Sequence, residues 1–76
     1  MPYVDIVDLP PPVRHALPTH AQEIFLAAFN AAWRTYADRA PHEREEIAHR
    51  VAWSAVKRRY RKVQGVWQPI DREGVR

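Results

Sequence analysis

With 76 residues, the chain has room for a single domain, one that buries roughly 60% of its unfolded surface and has no depth for a large internal pocket. Hydrophobic residues make up 46% of it and cysteine is absent, so there is no disulfide and no thiolate for a metal or redox couple. A net charge of +3 admits an anionic partner. No apolar run approaches the ~18 residues of a membrane span, and Met1 to Asp5 lack the charged-then-apolar order of an export signal, so the expectation is a cytoplasmic protein that is not membrane-inserted.

Residues 1–9 alternate loosely between apolar and polar, with β-branched Val4, Ile6 and Val7, and read as a short strand or extended arm. Pro10, Pro11 and Pro12 suit an extended entry into a first helical turn that continues from Val13 to Leu17, and Pro18 ends it. Thr19 and Gln22 have the spacing of a capping box, so a second helix begins at about residue 20. Its apolar face comprises Ala21, Ile24, Phe25, Ala28, Phe29, Ala32, Trp33 and Tyr36, opposite Gln22, Glu23, Asn30, Arg34 and Thr35.

Pro41 disfavours helix at Ala40 and serves as a first residue for the next helix, whose strongest pattern covers residues 44–62. There Ile47, Ala48, Val51, Ala52, Ala55, Val56 and Tyr60 form the expected buried face. The opposite stripe runs from Glu43 and Glu46 through Arg50 and Ser54 to Lys57 and Arg61, acid first and base last, as the helix dipole favours. The short connection makes the two long helices antiparallel or steeply crossed neighbours.

Beyond Lys62, Gly65 suits a turn and Val66 to Gln68 a strand too short to stand alone. The stretch around Tyr3 and Val4 is its expected partner. The predicted fold is therefore mainly α: a three-helix domain, one helix short and two long, with a small two-stranded sheet joining the N- and C-terminal segments. It occupies residues 1–70 as a single domain, and 71–76 read as a frayed tail.

Ser54 is the single serine, mid-helix with no activating loop, and Glu43, Glu45 and Glu46 cluster at a helix start where the dipole explains them. No enzyme is expected. His15, His20, His42, Glu45 and His49 are too scattered for a closed metal site, so neither metal nor cofactor is expected. Most aromatics fall at core spacing; Trp53 lies off the main stripe, where packing against the terminal strands is expected, and Trp53 with Trp67 is a candidate partner surface. The strongest functional signal is the run from Lys57 to Lys62, five cations in six residues. Arg50, Lys57, Arg58, Arg61 and Lys62 are the candidate contacts to nucleic acid or another anionic partner. The plainer reading is a solvated helix end whose cations complement the dipole.

Taken together, the residues resemble the ChaB family, named as regulators of cation transport. The resemblance is carried by Met1-Pro2-Tyr3, Asp8-Leu9-Pro10, Val13, Leu17-Pro18, His20-Ala21-Gln22 and Ile24. It continues through Ala28-Phe29-Asn30, Ala32-Trp33, Tyr36, Glu45-Glu46, Ala48-His49, Val51-Ala52-Trp53, Ala55-Val56-Lys57, Tyr60 and Trp67. It implies three helices with a small sheet, no enzyme, and regulation of a sodium or calcium/proton antiporter. Viral relatives described as DNA-binding agree with the basic end of the last helix. Some members carry a long charged loop between the second and third helices; here residues 37–42 hold one acid, Asp38, so no loop-based calcium or magnesium site is expected.

The leading expectation is a non-enzymatic regulatory binding module of the ChaB type whose partner is a transporter or another regulatory protein. The alternatives are a DNA- or RNA-binding protein using the basic helix end, and a protein adaptor whose surface includes Trp53 or Trp67. The sequence sets no oligomeric state.

Overall fold

A computed structural model describes residues 3–70. A short 3-10 turn, Ile6–Asp8, leads into α1 (Pro11–Ala16), α2 (Thr19–Thr35) and α3 (Pro41–Arg59). These are followed by a hairpin of β1 (Tyr60–Val63) and β2 (Val66–Pro69). The three helices and the two-stranded antiparallel sheet agree with the fold class expected from the sequence. The expected tail at 71–76 lies outside the described residues.

The sheet is not the one expected. Instead of joining the two ends, β1 pairs with β2 in the register Tyr60 to Pro69, Lys62 to Trp67 and Val63 to Val66. Gln64 at φ 51° and Gly65 at φ 82° make the connection. Positive φ at both central residues is the turn whose twist matches a two-residue hairpin, so the strand closes on its sequence neighbour rather than across the whole chain. The N-terminal arm is spoken for elsewhere. Asp5 accepts from the Ile6 N–H at 2.6 Å, the Asp8 carboxylate accepts from the Asp5 N–H at 3.2 Å, and the reciprocal cap turns residues 6–8 into 3-10 helix.

Proline punctuation sets the helix starts. Pro11 opens α1 and Pro41 opens α3, where a missing N–H costs nothing. The capping box at Thr19 does not form: Pro18 is the N-cap, and Thr19 is already helical. The Gln22 amide instead donates to the carbonyls of Leu17 at 2.9 Å and Arg14 at 3.2 Å, tying the end of α1 to α2.

The core is one cluster. Leu9, Val13 and Leu17 pack with Ala21, Phe25, Phe29 and Ala32 of α2, facing Ala48, Ala52 and Val56 of α3 and Tyr60 of β1. Alanines opposite phenylalanines let the two long helices interdigitate. The buried face of α3 is rotated from the expected one, since His49 meets Phe25 and Phe29 edge-on at 5.6 Å each, and Trp53 meets Phe25 at 5.3 Å. Those rings fill one flank of the interface. Ile47 is half-buried and Val51 is 37% exposed on the other.

The helical pattern also ends three residues early. α3 stops at Arg59, Tyr60 turns inward at the head of β1, and its hydroxyl is hydrogen-bonded to His20 Nδ1 at 3.1 Å. Among the described residues, no helix is long and apolar enough to cross a membrane.

Candidate partner-docking groove

The two flanks of the α2–α3 interface differ because their side chains differ in size. One flank is closed by His49 and Trp53, and Trp53 in turn packs on Trp67 of β2, with ring centroids 5.7 Å apart. On the other flank, α2 offers Ala28, Ala31 and Ala32, and α3 offers Val51, Ser54 and Ala55. Side chains this short leave the valley between the helices unfilled, as a cleft of about 630 Å³.

Thr35 and Tyr36 line one end of that cleft, and Arg50 and Arg58 line its α3 wall. The two arginines lie eight residues apart on α3, with Ser54 between them, so they share one stripe of the helix. The Thr35 hydroxyl donates to the Ala31 carbonyl at 3.0 Å and is satisfied within α2. Among the described residues, no carboxylate belongs to the lining. Ala55 and Arg58 also line a second depression, with His20, Ile24 and Arg59, so the cleft extends along the helices towards the start of α2. A third depression continues from His20 and Arg59 to Tyr60, Pro69 and Ile70.

The sequence-predicted contacts divide between this groove and the hairpin. Arg50 and Arg58 line the groove, and Lys57 is exposed on the last turn of α3. Arg61 and Lys62 are exposed on β1 at successive positions, and so face opposite sides of the hairpin. The run from Lys57 to Lys62 is therefore not one helix face, because the chain changes from helix to strand at Tyr60. Trp53 and Trp67 are both half-buried and pack together with their rings tilted by 33°, helix against strand as expected for Trp53, on the flank of α3 away from the groove.

Sequence reasoning weighed His20 only as a metal ligand and Arg59 only as part of the basic run, and missed both their place beside the groove and the alanine lining. The signal was available in the spacing of Ala28, Ala31 and Ala32, which marks a face too small to fill space. Among the described residues, no three His, Cys, Asp or Glu side chains come together as a metal site. Near the opposite flank, burial and then the negative charge of Glu45 push the Tyr3 phenol above its usual pKa.

The ChaB family model matches residues 9–69, from the end of the 3-10 turn through both strands of the hairpin. The chain belongs to the ChaB family. An Escherichia coli K12 relative named "Putative cation transport regulator ChaB" is 52% identical over 66 residues, covering 82% of this chain and 87% of the relative. A Shigella flexneri relative of the same name has the same identity and coverage. The NMR solution structure of a ChaB protein superposes with a TM-score of 0.83 at 47% identity, covering 92% of this chain and all of that one. In this ChaB-family chain the matched segment contains the whole groove.

Proposed function

We propose that the chain is a non-enzymatic regulatory module of cation transport that acts by binding, with the α2–α3 groove as its working surface. The observation that supports this best is the combination of an apolar floor, including exposed Val51, with Arg50 and Arg58 on one wall. Small apolar residues open to solvent suit a protein segment that displaces water, while the arginines orient it. The names of the relatives supply the process, cation transport. Exchange of sodium or calcium for protons is the transport proposed, with the chain acting on the cytoplasmic side through the transporter or another regulator.

Nucleic-acid binding is the second reading. It is favoured by the exposure of Lys57, Arg58, Arg59, Arg61 and Lys62 near one end of the molecule. It ranks below the first because Arg61 and Lys62 diverge across the hairpin, and because phosphate contacts have no use for an apolar floor.

The test is to delete the chain from its host, measure sodium and calcium efflux, and restore either the wild type or Arg50→Glu/Arg58→Glu. The wild type restores efflux and the variant, folded by circular dichroism, does not. Full restoration by the variant excludes the groove; efflux unchanged by the deletion excludes regulation of cation transport.

A further inference from the structure

We infer that the occupant of the groove is an acidic amphipathic helix of a partner protein. This rests on the groove being the working surface, and adds the chemistry of what it holds.

Shape gives the first argument. The groove runs from Tyr36, at the end of α2, to His20, at its start, through two depressions that share Ala55 and Arg58. At 1.5 Å per residue those positions are ~24 Å apart, the length of about four helical turns. Ala28, Ala31 and Ala55 line it with side chains short enough for a third helix to approach both walls, and Val51, 37% exposed, is the apolar knob such a helix would cover. A bound strand would be held through main-chain hydrogen bonds to a free sheet edge, and the walls of the main cleft are helical.

Charge gives the second. Arg50 and Arg58 line the main cleft, Arg58, Arg59 and His20 line its extension, and among the described residues the charged side chains that line either are all basic. Carboxylates along one edge of a helix recur every three or four residues and meet a stripe of cations spaced as Arg50 and Arg58 are. A nucleic acid would satisfy the arginines and leave Val51 and the alanines against sugar and phosphate, which gain nothing from them.

The probe is a designed helical peptide of about 16 residues with a Leu/Ala face flanked by Glu, beside a counterpart carrying Lys in place of Glu. Amide NMR on the full chain shows saturable shifts at Ala28, Ala31, Val51 and Ala55 with the Glu peptide and none with the Lys peptide. Val51→Glu weakens that binding about tenfold or more, and Arg50→Glu/Arg58→Glu exchanges the preference towards the Lys peptide. Both substitutions are at solvent-facing positions, and chemical shifts elsewhere report that the fold is intact. Absence of saturable shifts, or shifts confined to Arg61 and Lys62, overturns the inference. If the peptide fails to bind while Arg50→Glu/Arg58→Glu still fails to restore efflux, the helical occupant is wrong and the groove stands. If the peptide binds as described and that variant restores efflux, the occupant is right and the proposed function is wrong.

Discussion

The side-chain amide of Asn30 holds both backbone groups of Tyr3: its Oδ1 accepts from the Tyr3 N–H at 2.9 Å, and its Nδ2 donates to the Tyr3 carbonyl at 2.7 Å. One residue in the middle of α2 thus gives the N-terminal arm the pair of bonds a neighbouring strand would have given. The Tyr3 ring then packs 4.9 Å from Phe29. Asn30→Ala should destabilise the fold by about 1–3 kcal/mol, read by chemical denaturation, and should speed hydrogen exchange at the Tyr3 amide. Asn30→Asp keeps the acceptor, loses the donor, and should fall between the two.

Tyr3 also makes stability depend on alkaline pH. Burial, and then Glu45, favour its neutral form and raise its pKa. The unfolded chain therefore loses this proton first as pH rises. The contribution is complete below about pH 10 and is lost as pH climbs through the raised folded value. Tyrosinate absorbance should show the Tyr3 phenol titrating late, Glu45→Gln should move it partway back, and Tyr3→Phe should flatten this part of the stability profile.

Much of the fold was legible because its punctuation is local. Pro18 and Pro41 mark helix boundaries wherever they occur, and Phe25, Phe29 and Ala32 repeat at helical spacing. What escaped depended on contacts between distant residues. Periodicity gives the width of a buried face and leaves its centre loose, so Val51 was expected inside, whereas the rings of His49 and Trp53 took that role by packing on Phe25. The run from Lys57 to Lys62 contains no helix breaker; α3 ends there because the turn at Gln64 and Gly65 draws Tyr60 into a hairpin. Asp5 and Asp8 went unread as a cap because β-branched residues between them suggested a strand. The groove escaped because it is built from the residues that periodicity assigns to the core, at positions where they are too small to fill it.

Arg44 closes the corner between the long helices. Its Nε donates to the Trp33 carbonyl at 2.7 Å, and its guanidinium lies 4.1 Å from the Trp33 ring centroid. Trp33 belongs to the last turn of α2, where carbonyls lack partners within the helix. Arg44→Ala should cost about 1.5–3 kcal/mol for the charged hydrogen bond and ~0.5–1 kcal/mol for the stacking. Arg44→Lys should recover the smaller part, because an ammonium cannot stack flat and donate sideways together. Thermal and chemical denaturation of the three chains check this.

The hairpin turn offers a change of each sign. A Cβ at Gly65 would meet nothing within 4 Å, so Gly65→Ala is opposed only by its φ of +82°, and should cost ~1 kcal/mol. Gln64 carries φ 51° with a side chain ill suited to it, and Gln64→Asn should raise the denaturation midpoint.

On the proposed function, regulation happens at the groove and not at the basic hairpin. The measurement that tests it most directly compares cation efflux in host cells lacking the chain and supplied with Val51→Glu or with Arg61→Glu/Lys62→Glu, at matched levels of folded protein. Val51→Glu should fail to restore efflux while the hairpin variant restores it. Restoration by Val51→Glu together with failure of Arg61→Glu/Lys62→Glu would contradict it, and would return the function to the basic cluster.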